Sequence, residues 1–355
     1  MARLGDICEK GTSNVAQKDL SDKDGDYPIY GASGLIKKVN FYHQDKPYIA
    51  IVKDGAGAGR VMQLPAKSSV IGTLQYIIPK NNFCIGYLAY AIEHMNLSKY
   101  CLGAAIPHIY FKDYCNEILP DHSLAEQQRI ASQLDKISHL IALRKRQLSK
   151  LDELVKSRFV EMFGDMPNST KMAEVCSLIT DGTHQSPKFV ESGIPFLFVS
   201  NVVSNRLTYD AEKFIDEATY EELIKRTPIE IGDVLLSTVG SYGHPAIVNS
   251  DRRFLFQRHI AYLKPRKEIV DSQFLHGAIL SASVQEQIER KVKGIAQKTL
   301  NLSEIKTIMV PLPPLALQRE FAAFVAKVDK LAFKAKASLE KLETLKKAMM
   351  QKYFN

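Results

Sequence analysis

The sequence is poor in the features that build disulfide scaffolds, zinc sites and membrane spans. Its 355 residues include only five cysteines, an odd number, and none of them forms a CxxC pair. This pattern indicates a reduced, cytoplasmic protein and gives no support to structural zinc. No apolar run approaches the roughly 20 residues of a membrane span, and the charged segment Met1 to Lys10 does not resemble a signal peptide.

Recognisable catalytic motifs are also absent. The Asn/Asp-Pro-Pro-aromatic tetrad of adenine methyltransferases is missing, and the nearest string, Leu312-Pro313-Pro314-Leu315, lacks both the amide or acid and the aromatic residue. No cluster of carboxylates with lysine suggests a nuclease, and the nine histidines show no metal-ligand spacing. We therefore expect no catalytic residues, no metal and no cofactor in this chain.

The positive charge is concentrated in two segments. The chain has a net charge of +8, which favours an acidic partner such as nucleic acid, although many soluble proteins are equally basic. Residues 124–163 contribute +3 and residues 316–354 contribute +5, so the rest of the chain is neutral. Any DNA contact outside these segments must come from local patches of charge.

These same two segments form an internal repeat. Residues 118–163 align without a gap with residues 309–354 at an offset of 191, and 14 of the 46 pairs are identical. The identities include Gln127/Gln318 and Phe163/Phe354, which two unrelated amphipathic helices would not share in one register. The repeat continues upstream at Gly103/Gly294. We infer that the chain is a tandem duplication.

Each repeat carries a long heptad pattern, with apolar residues spaced alternately by four and three. Helices of roughly 38 residues would be about 57 Å long at ~1.5 Å per residue, which is too long to pack on one head alone. We predict that the two copies pair antiparallel about a pseudo-two-fold axis, as an antiparallel coiled coil with the heads at opposite ends, and that Arg144 lies near the Ala332–Ala335 turn. The predicted seam positions are Ile130, Leu134, Ile137, Ile141, Arg144, Leu148 and Leu151 in the first copy and Phe321, Val325, Val328, Ala335, Leu339 and Leu342 in the second.

The segments before the helices, which we call the first and second heads, mix short strands with few helices. In the first head Tyr48–Val52 and Val61–Leu64 read as strands on either side of a glycine-rich turn, and in the second head residues 233–239 and 245–248 do the same. Neither turn matches GxGxxG or a Walker loop. Two interpretations of these turns remain open. Each turn is either a tight hairpin that lets the backbone approach a DNA groove or a purely structural turn.

The chain consists of a head, a strand that ends in proline and a Leu-Ala-x-Gln helix with heptads, and then the same order again. This arrangement resembles the specificity (S) subunit of type I restriction–modification systems. The resemblance covers essentially the whole chain and includes Ile194–Asn201 and the Gly-Asp-Val-Leu at Gly232 to Leu235. It implies an α/β fold with two target recognition domains joined by two spacer helices. The boundaries that we expect are 1–122 for the first recognition domain, 123–164 for its helix, 165–314 for the second recognition domain and 315–355 for its helix.

The resemblance also implies partners and a division of labour. Each head would read one half of a bipartite site in double-stranded DNA, and the helices would set the spacer and dock two modification subunits. Those subunits would carry S-adenosylmethionine and methylate adenine, and restriction subunits using ATP and Mg would cleave. This chain itself would be non-catalytic.

Candidate DNA-reading residues are side chains suited to base edges or phosphates that cluster at predicted turns. They are Tyr30, Ser33, Lys37, Lys38, Lys53, Arg60 and His108 in the first head and His184, Ser200, Asn201, Tyr242, His244, Gln257, Arg258 and Lys298 in the second. Two other readings stay open: a nucleotide-binding enzyme that uses the glycine-rich turns, and a coiled-coil scaffold with protein-binding heads.

Overall fold

The chain divides into two units in this computed structural model, which describes residues 1–80, 83–103, 106–167, 169–294 and 297–355. The first unit consists of Met1–Arg146 with Lys336–Asn355, and the second unit consists of Gln147–Ala335. Each unit therefore combines one head with a part of each long helix. Within the described residues, every helix is either too short or too polar to cross a membrane.

The first head contains nine strands and three short helices among its described residues, and a long helix follows it. Their bounds are β1 Ala2–Arg3, α1 Leu4–Ile7, β2 Cys8–Thr12, β3 Asp24–Gly31, β4 Gly34–Val39, β5 Tyr48–Val52, β6 Val61–Leu64, β7 Ser69–Val70, β8 Leu74–Pro79, α2 Ile85–His94, α3 Phe111–Tyr114, β9 Ile118–Leu119 and α4 Leu124–Phe163.

The second head repeats this plan with additional helices. Its elements are β10 Thr170–Lys171, α5 Met172–Val175, β11 Cys176–Asp181, β12 Ile194–Leu197, β13 Lys213–Ile215, α6 Glu217–Leu223, β14 Val234–Ser237, β15 Pro245–Ile247, β16 Leu255–Phe256, β17 Ile260–Pro265, α7 Ser272–Leu280, α8 Ala282–Lys291, α9 Leu302–Thr307, β18 Met309–Val310 and α10 Leu315–Phe354.

The two heads have the same strand topology. The first head has a four-stranded sheet in the order β2-β8-β5-β6 and a three-stranded sheet in the order β4-β3-β7, and the second head has β11-β17-β14-β15 and β13-β12-β16. In each three-stranded sheet one pair is parallel, β3 with β7 and β12 with β16, while the neighbouring pair is antiparallel. The duplication inferred from the helices therefore extends through both heads, where the sequences have diverged.

Within each unit, the two long-helix segments run antiparallel. In the first unit Arg144 Nε donates to Ser338 Oγ at 3.2 Å and Lys145 pairs with Glu343 at 2.9 Å. In the second unit Arg158 pairs with Glu320 at 3.1 Å. The predicted antiparallel pairing is thus confirmed. Arg144 belongs to the first unit and the Ala332–Ala335 turn belongs to the second. The predicted proximity of the two therefore stays a prediction.

The C-terminal residue of each helix repeat is part of a head core. Phe354, at the end of α10, packs with its ring centroid 5.2 Å from that of Tyr87 in the first head. Phe163, at the end of α4, packs 4.9 Å from Phe274 in the second head. Both phenylalanines are buried, because the head helices α2 and α7 cover them. The first head is therefore completed by residues from the far end of the chain.

A buried glutamine joins each head helix to the long helix that follows the head. Gln127 Oε1 accepts from the backbone N–H of Cys84 at 2.9 Å, and its Nε2 donates to the carbonyl of His122 at 2.8 Å. Gln318 makes the equivalent bonds to Asp271 and Pro313, both at 2.8 Å. The identity of these two residues in the repeat follows from this shared role.

Candidate nucleic-acid interface

In each head the glycine-rich turn packs beside one particular loop. In the first head Gly55 N donates to Pro107 O at 2.9 Å, and in the second head Gly240 N donates to Lys298 O at 3.1 Å. Each loop closes on itself through a pair of backbone hydrogen bonds, between Leu102 and His108 in one head and between Lys293 and Thr299 in the other. The four loop positions correspond at the repeat offset of 191. The turn and its loop form one edge in each head, which we call the turn edge.

Two glycines of the first turn, Gly55 and Gly59, are required by backbone geometry. Gly55 and Gly59 have φ of +89° and +91°, in the region that side chains disfavour. A Cβ at Gly59 would lie 2.8 Å from the backbone nitrogen of Ser98, whereas a Cβ at Gly55 would meet nothing within 4 Å. Gly59 thus serves packing within the head, while the backbone at Gly55 is open on its Cβ side.

Three candidates of the first head gather at this turn edge. His108 Nδ1 contacts the carboxylate of Asp54, whose other oxygen lies 4.0 Å from Lys53 Nζ. Arg60 follows the turn and is exposed, and its Nη1 donates to the carbonyl of Ala32 at 2.8 Å. The edge therefore presents His108 and Lys53 beside one carboxylate, with Arg60 at the end of the turn.

The other candidates of the first head lie on β3, β4 and their connection. Ser33 is exposed in the connection, next to the carbonyl that Arg60 binds, and Tyr30 is partly buried near the end of β3. Lys38 is exposed on β4. Lys37 is occupied within the head, since its Nζ donates to Leu20 O at 2.9 Å and pairs with Asp24 at 2.6 Å.

In the second head the turn edge carries Tyr242 and Lys298. Lys298 Nζ lies 2.8 Å from Glu289 and 3.3 Å from the hydroxyl of Tyr242, which also donates to Glu289. Hydrogen bonds from Lys298 and Tyr242 lower the pKa of Glu289, so this carboxylate stays ionised beside the lysine. His244, at the end of the turn, contacts Asn205 Oδ1 through Nδ1 at 3.0 Å.

A second group of candidates in this head lies at Asp181 and at the nearby bridge between Thr183 and Gln257. His184 lies 2.9 Å from Asp181, and Arg226, which sequence reasoning missed, donates to the same carboxylate at 2.5 Å. Gln257 is paired with Thr183 through a backbone bridge, and Arg258 beside it is exposed. The side chains of His184, Arg226 and Arg258 therefore belong to neighbouring loops, which the sequence alone could not place together.

Asn201 differs from the other candidates because its side chain is buried, at 4% exposure. Its Oδ1 accepts from Phe198 N at 2.9 Å, and its Nδ2 donates to Thr208 Oγ1 and Asp210 O at 3.2 and 2.9 Å. The amide holds the loop after β12 together, so it has no group left to offer a base edge. Ser200, its neighbour, is exposed.

The two turn edges carry different chemistry at positions that the hydrogen-bond pattern makes equivalent. The bridge between Asp54 and His108 in the first head corresponds to the bridge between Val239 and Thr299 in the second. Sequence reasoning missed Asp54, because an acidic residue next to a glycine turn reads as ordinary turn chemistry. Among the described residues, no group of three or more His, Cys, Asp or Glu side chains is placed to hold a metal ion.

Comparison with known proteins gives a consistent family. The model of the type I restriction modification DNA specificity domain matches twice, over residues 1–153 and 170–344. The type I restriction enzyme EcoBI specificity subunit of Escherichia coli is 30% identical over 134 residues, which is 37% of this chain and 28% of that protein. The MjaVIII specificity subunit of Methanocaldococcus jannaschii is 24% identical over 263 residues, or 65% of this chain and 60% of that protein. The alignments thus span less than two thirds of either relative.

Solved structures show the same fold. The S subunit of a type I restriction–modification system from M. genitalium aligns with 100% of this chain and 95% of its own, with a TM-score of 0.65 at 15% identity. A chain from a structural study of complex assembly and conformational transition of the type I R-M system aligns with 99% of this chain and 96% of its own, with a TM-score of 0.52 at 17% identity.

Proposed function

Because this chain belongs to the family of type I restriction modification DNA specificity domains, we propose that it is the DNA-reading subunit of a type I restriction–modification complex. Each head reads one half of a bipartite site in double-stranded DNA, and the helices set the distance between the halves. The chain contributes recognition only. Catalysis belongs to two modification subunits that dock on it and carry S-adenosylmethionine, and to restriction subunits that use ATP and Mg.

One observation carries this proposal. The two heads share a strand order, a glycine turn and a paired loop, but place different side chains at equivalent positions of the turn edge. A common framework with variable edge residues suits two readers of different short sequences, since sequence is read by side chains at base edges. The basic side chains Lys53, Arg60, Arg258 and Lys298 suit phosphates or guanine.

Separation of reading from chemistry is physically reasonable for adenine methylation. A methyltransferase must take its target base out of the stack to reach the reacting nitrogen. The reading subunit can stay on the duplex while another chain holds the extruded base. The reading chain then needs no acid, base or metal of its own.

A methyl-transfer assay with the purified chain tests the proposal. The chain alone should transfer no methyl group from S-adenosylmethionine to DNA, and the chain together with its cognate modification subunit should methylate adenine at a bipartite sequence. Methyl transfer by the chain alone, or binding of ATP or S-adenosylmethionine by the isolated chain, would favour a nucleotide-binding enzyme instead. Failure of the complex to bind any DNA at low salt would favour a protein-binding scaffold.

A further inference from the structure

The second head contains a loop that is much longer than its counterpart in the first head. This loop, residues 198–212, joins β12 to β13, and we call it the bridging loop; the corresponding connection between β3 and β4 consists of Ala32 and Ser33. Val202 and Leu207 of the bridging loop are buried in one apolar cluster with residues of β14, β15 and β17. This packing gives the segment between them a defined position on the head.

Within the bridging loop, Asn205 contacts two histidines. Its Oδ1 lies 3.0 Å from Nδ1 of His244 at the turn edge, and its backbone carbonyl accepts from Nε2 of His276 on α7 at 2.9 Å. His276 also hydrogen-bonds to the backbone of Pro245, which can offer only its carbonyl. The bridging loop, the turn edge and α7 therefore meet at Asn205.

The next residue, Arg206, connects the bridging loop to both long helices. Its Nη2 lies 3.1 Å from Asp329 of α10 and 3.9 Å from Asp152 of α4. Desolvation by the surrounding residues lowers the pKa of His276, so this ring is neutral at neutral pH and does not repel the guanidinium of Arg206. Two consecutive residues of one loop thus contact the turn edge and the helices.

The first unit joins its head to its helices in a different way. Ser138 is the counterpart of Asp329 in the repeat, and it accepts from the hydroxyl of Tyr90 on α2 at 3.1 Å. Lys346 of α10 pairs with Glu93 of the same head helix at 3.0 Å. Equivalent positions of the long helices therefore contact the head in both units, through α2 in the first and through the bridging loop in the second.

We propose that Arg206 is a positioning residue for the second half-site: it fixes the bridging loop on the long helices and thereby holds His244 in the orientation that reads DNA. The inference deepens the proposed function and rests on it. A displaced bridging loop would move Asn205 and leave His244 without its partner. An imidazole without a fixed orientation discriminates base edges less sharply, because base readout depends on hydrogen-bond geometry.

The effects of Arg206 on stability and on selectivity should separate. The side chains of Arg206, Asp152 and Asp329 are 62%, 69% and 45% exposed, and ion pairs between exposed side chains contribute little to folding. Thermal unfolding of Arg206→Ala should therefore match that of the wild type. Reading of the second half-site should change, because it depends on where the bridging loop lies.

Methylation of a panel of DNA duplexes by the chain and its cognate modification subunit tests the inference. The panel contains the cognate site and sites with one substituted base pair in either half; the second head reads the half that persists when residues 1–117 are replaced. In Arg206→Ala, the rate on the cognate site relative to second-half substitutions should fall about tenfold at one position or more, the scale of one mismatched base pair. The ratio for first-half substitutions should stay at the wild-type value.

Conservative and paired variants test the route of the effect. Arg206→Lys keeps the charge and should restore most of the lost selectivity. Asp152→Ala with Asp329→Ala removes the acceptors on the helices and should lower the same ratio. Adding Arg206→Ala to that variant should lower the ratio no further, because residues that act through one contact are not additive.

Two single variants complete the set. Asn205→Gly removes the side chain that contacts His244, while glycine accepts the φ of +58° at this position without strain; it should relax reading of the second half only. The matched control is Lys346→Ala, which removes the ion pair between α10 and α2 in the first unit. Both ratios should stay unchanged in this control.

The outcomes separate this inference from the proposed function. If the wild-type complex methylates a bipartite site and Arg206→Ala keeps both ratios, the inference fails and the proposed function stands. A loss in Arg206→Ala without a loss in the double aspartate variant would mean that Arg206 contacts DNA itself, which also overturns the inference. A loss in both halves, or in Lys346→Ala, would show that general loosening of a head relaxes reading. If the wild-type complex methylates no bipartite site, the proposed function fails.

Discussion

At the scale of single residues, one identity between the repeats is explained directly by the fold. Gln127 and Gln318 are buried and bond to backbone groups, so the fold itself maintains them. The sequence identified this pair because both copies share it. It could not identify the partners, because Cys84 and Asp271 are not separated by the repeat offset and the glutamine reaches them through space.

Replacing Gln127 by alanine should destabilise the first head by about 1–3 kcal/mol. The substitution leaves the partly buried backbone N–H of Cys84 and carbonyl of His122 without their partner, and a group that is shielded from water but unsatisfied carries a desolvation cost. Thermal unfolding measures the effect. The control is Gln128→Ala, on the exposed side of the same helix turn. Equal unfolding temperatures for the two variants would contradict the role given to Gln127.

Alanine substitutions at Gly55 and Gly59 should differ, although both glycines have positive φ. Gly55→Ala introduces only backbone strain, about 1–2 kcal/mol. Gly59→Ala adds a clash with the backbone of Ser98, which cannot move without the segment around it. The free energy of unfolding from urea titration should therefore fall further for Gly59→Ala. A larger loss at Gly55 would show that the turn is constrained by something other than Ser98.

At the scale of elements, the long helices were the most predictable part of the chain. The heptad pattern and the flanking prolines predicted segments 123–164 and 315–355, and the helices run from Leu124 to Phe163 and from Leu315 to Phe354. The strands on either side of the glycine turns were also predicted. The pairing of β3 with β7 and of β12 with β16 was not, because parallel partners far apart in sequence leave no local signal.

The end of α10 should stabilise the first head, although it lies more than 200 residues away in sequence. Phe354→Ala removes a buried ring that packs on Tyr87, and large-to-small changes of this kind cost about 3 kcal/mol or more. Hydrogen–deuterium exchange should become faster in α2 and β5 but not in β14 of the second head. Phe333→Ala, at an exposed position, should change neither. Unaltered exchange in α2 would mean that the head is complete without the helix end.

At the scale of the whole molecule, the duplication explains why the long helices could be predicted from the sequence more fully than the heads. A coiled-coil seam restricts residue type at regular intervals, so two copies stay similar. A strand framework accepts many apolar sequences, and edge residues that contact a ligand differ when the ligands differ. Arg226 was missed because it lies at the candidate site only once the loops are folded together.

The proposed function requires two separable heads that read two half-sites. Methylome sequencing tests this requirement in two hosts that both express the modification subunit. The first host expresses this chain, and the second expresses a variant in which the matching head of a relative replaces residues 1–117. We predict a bipartite methylated motif in which the replacement changes one half and leaves the other half unchanged. A motif altered in both halves, or a continuous motif without a spacer, would contradict the separation of the heads.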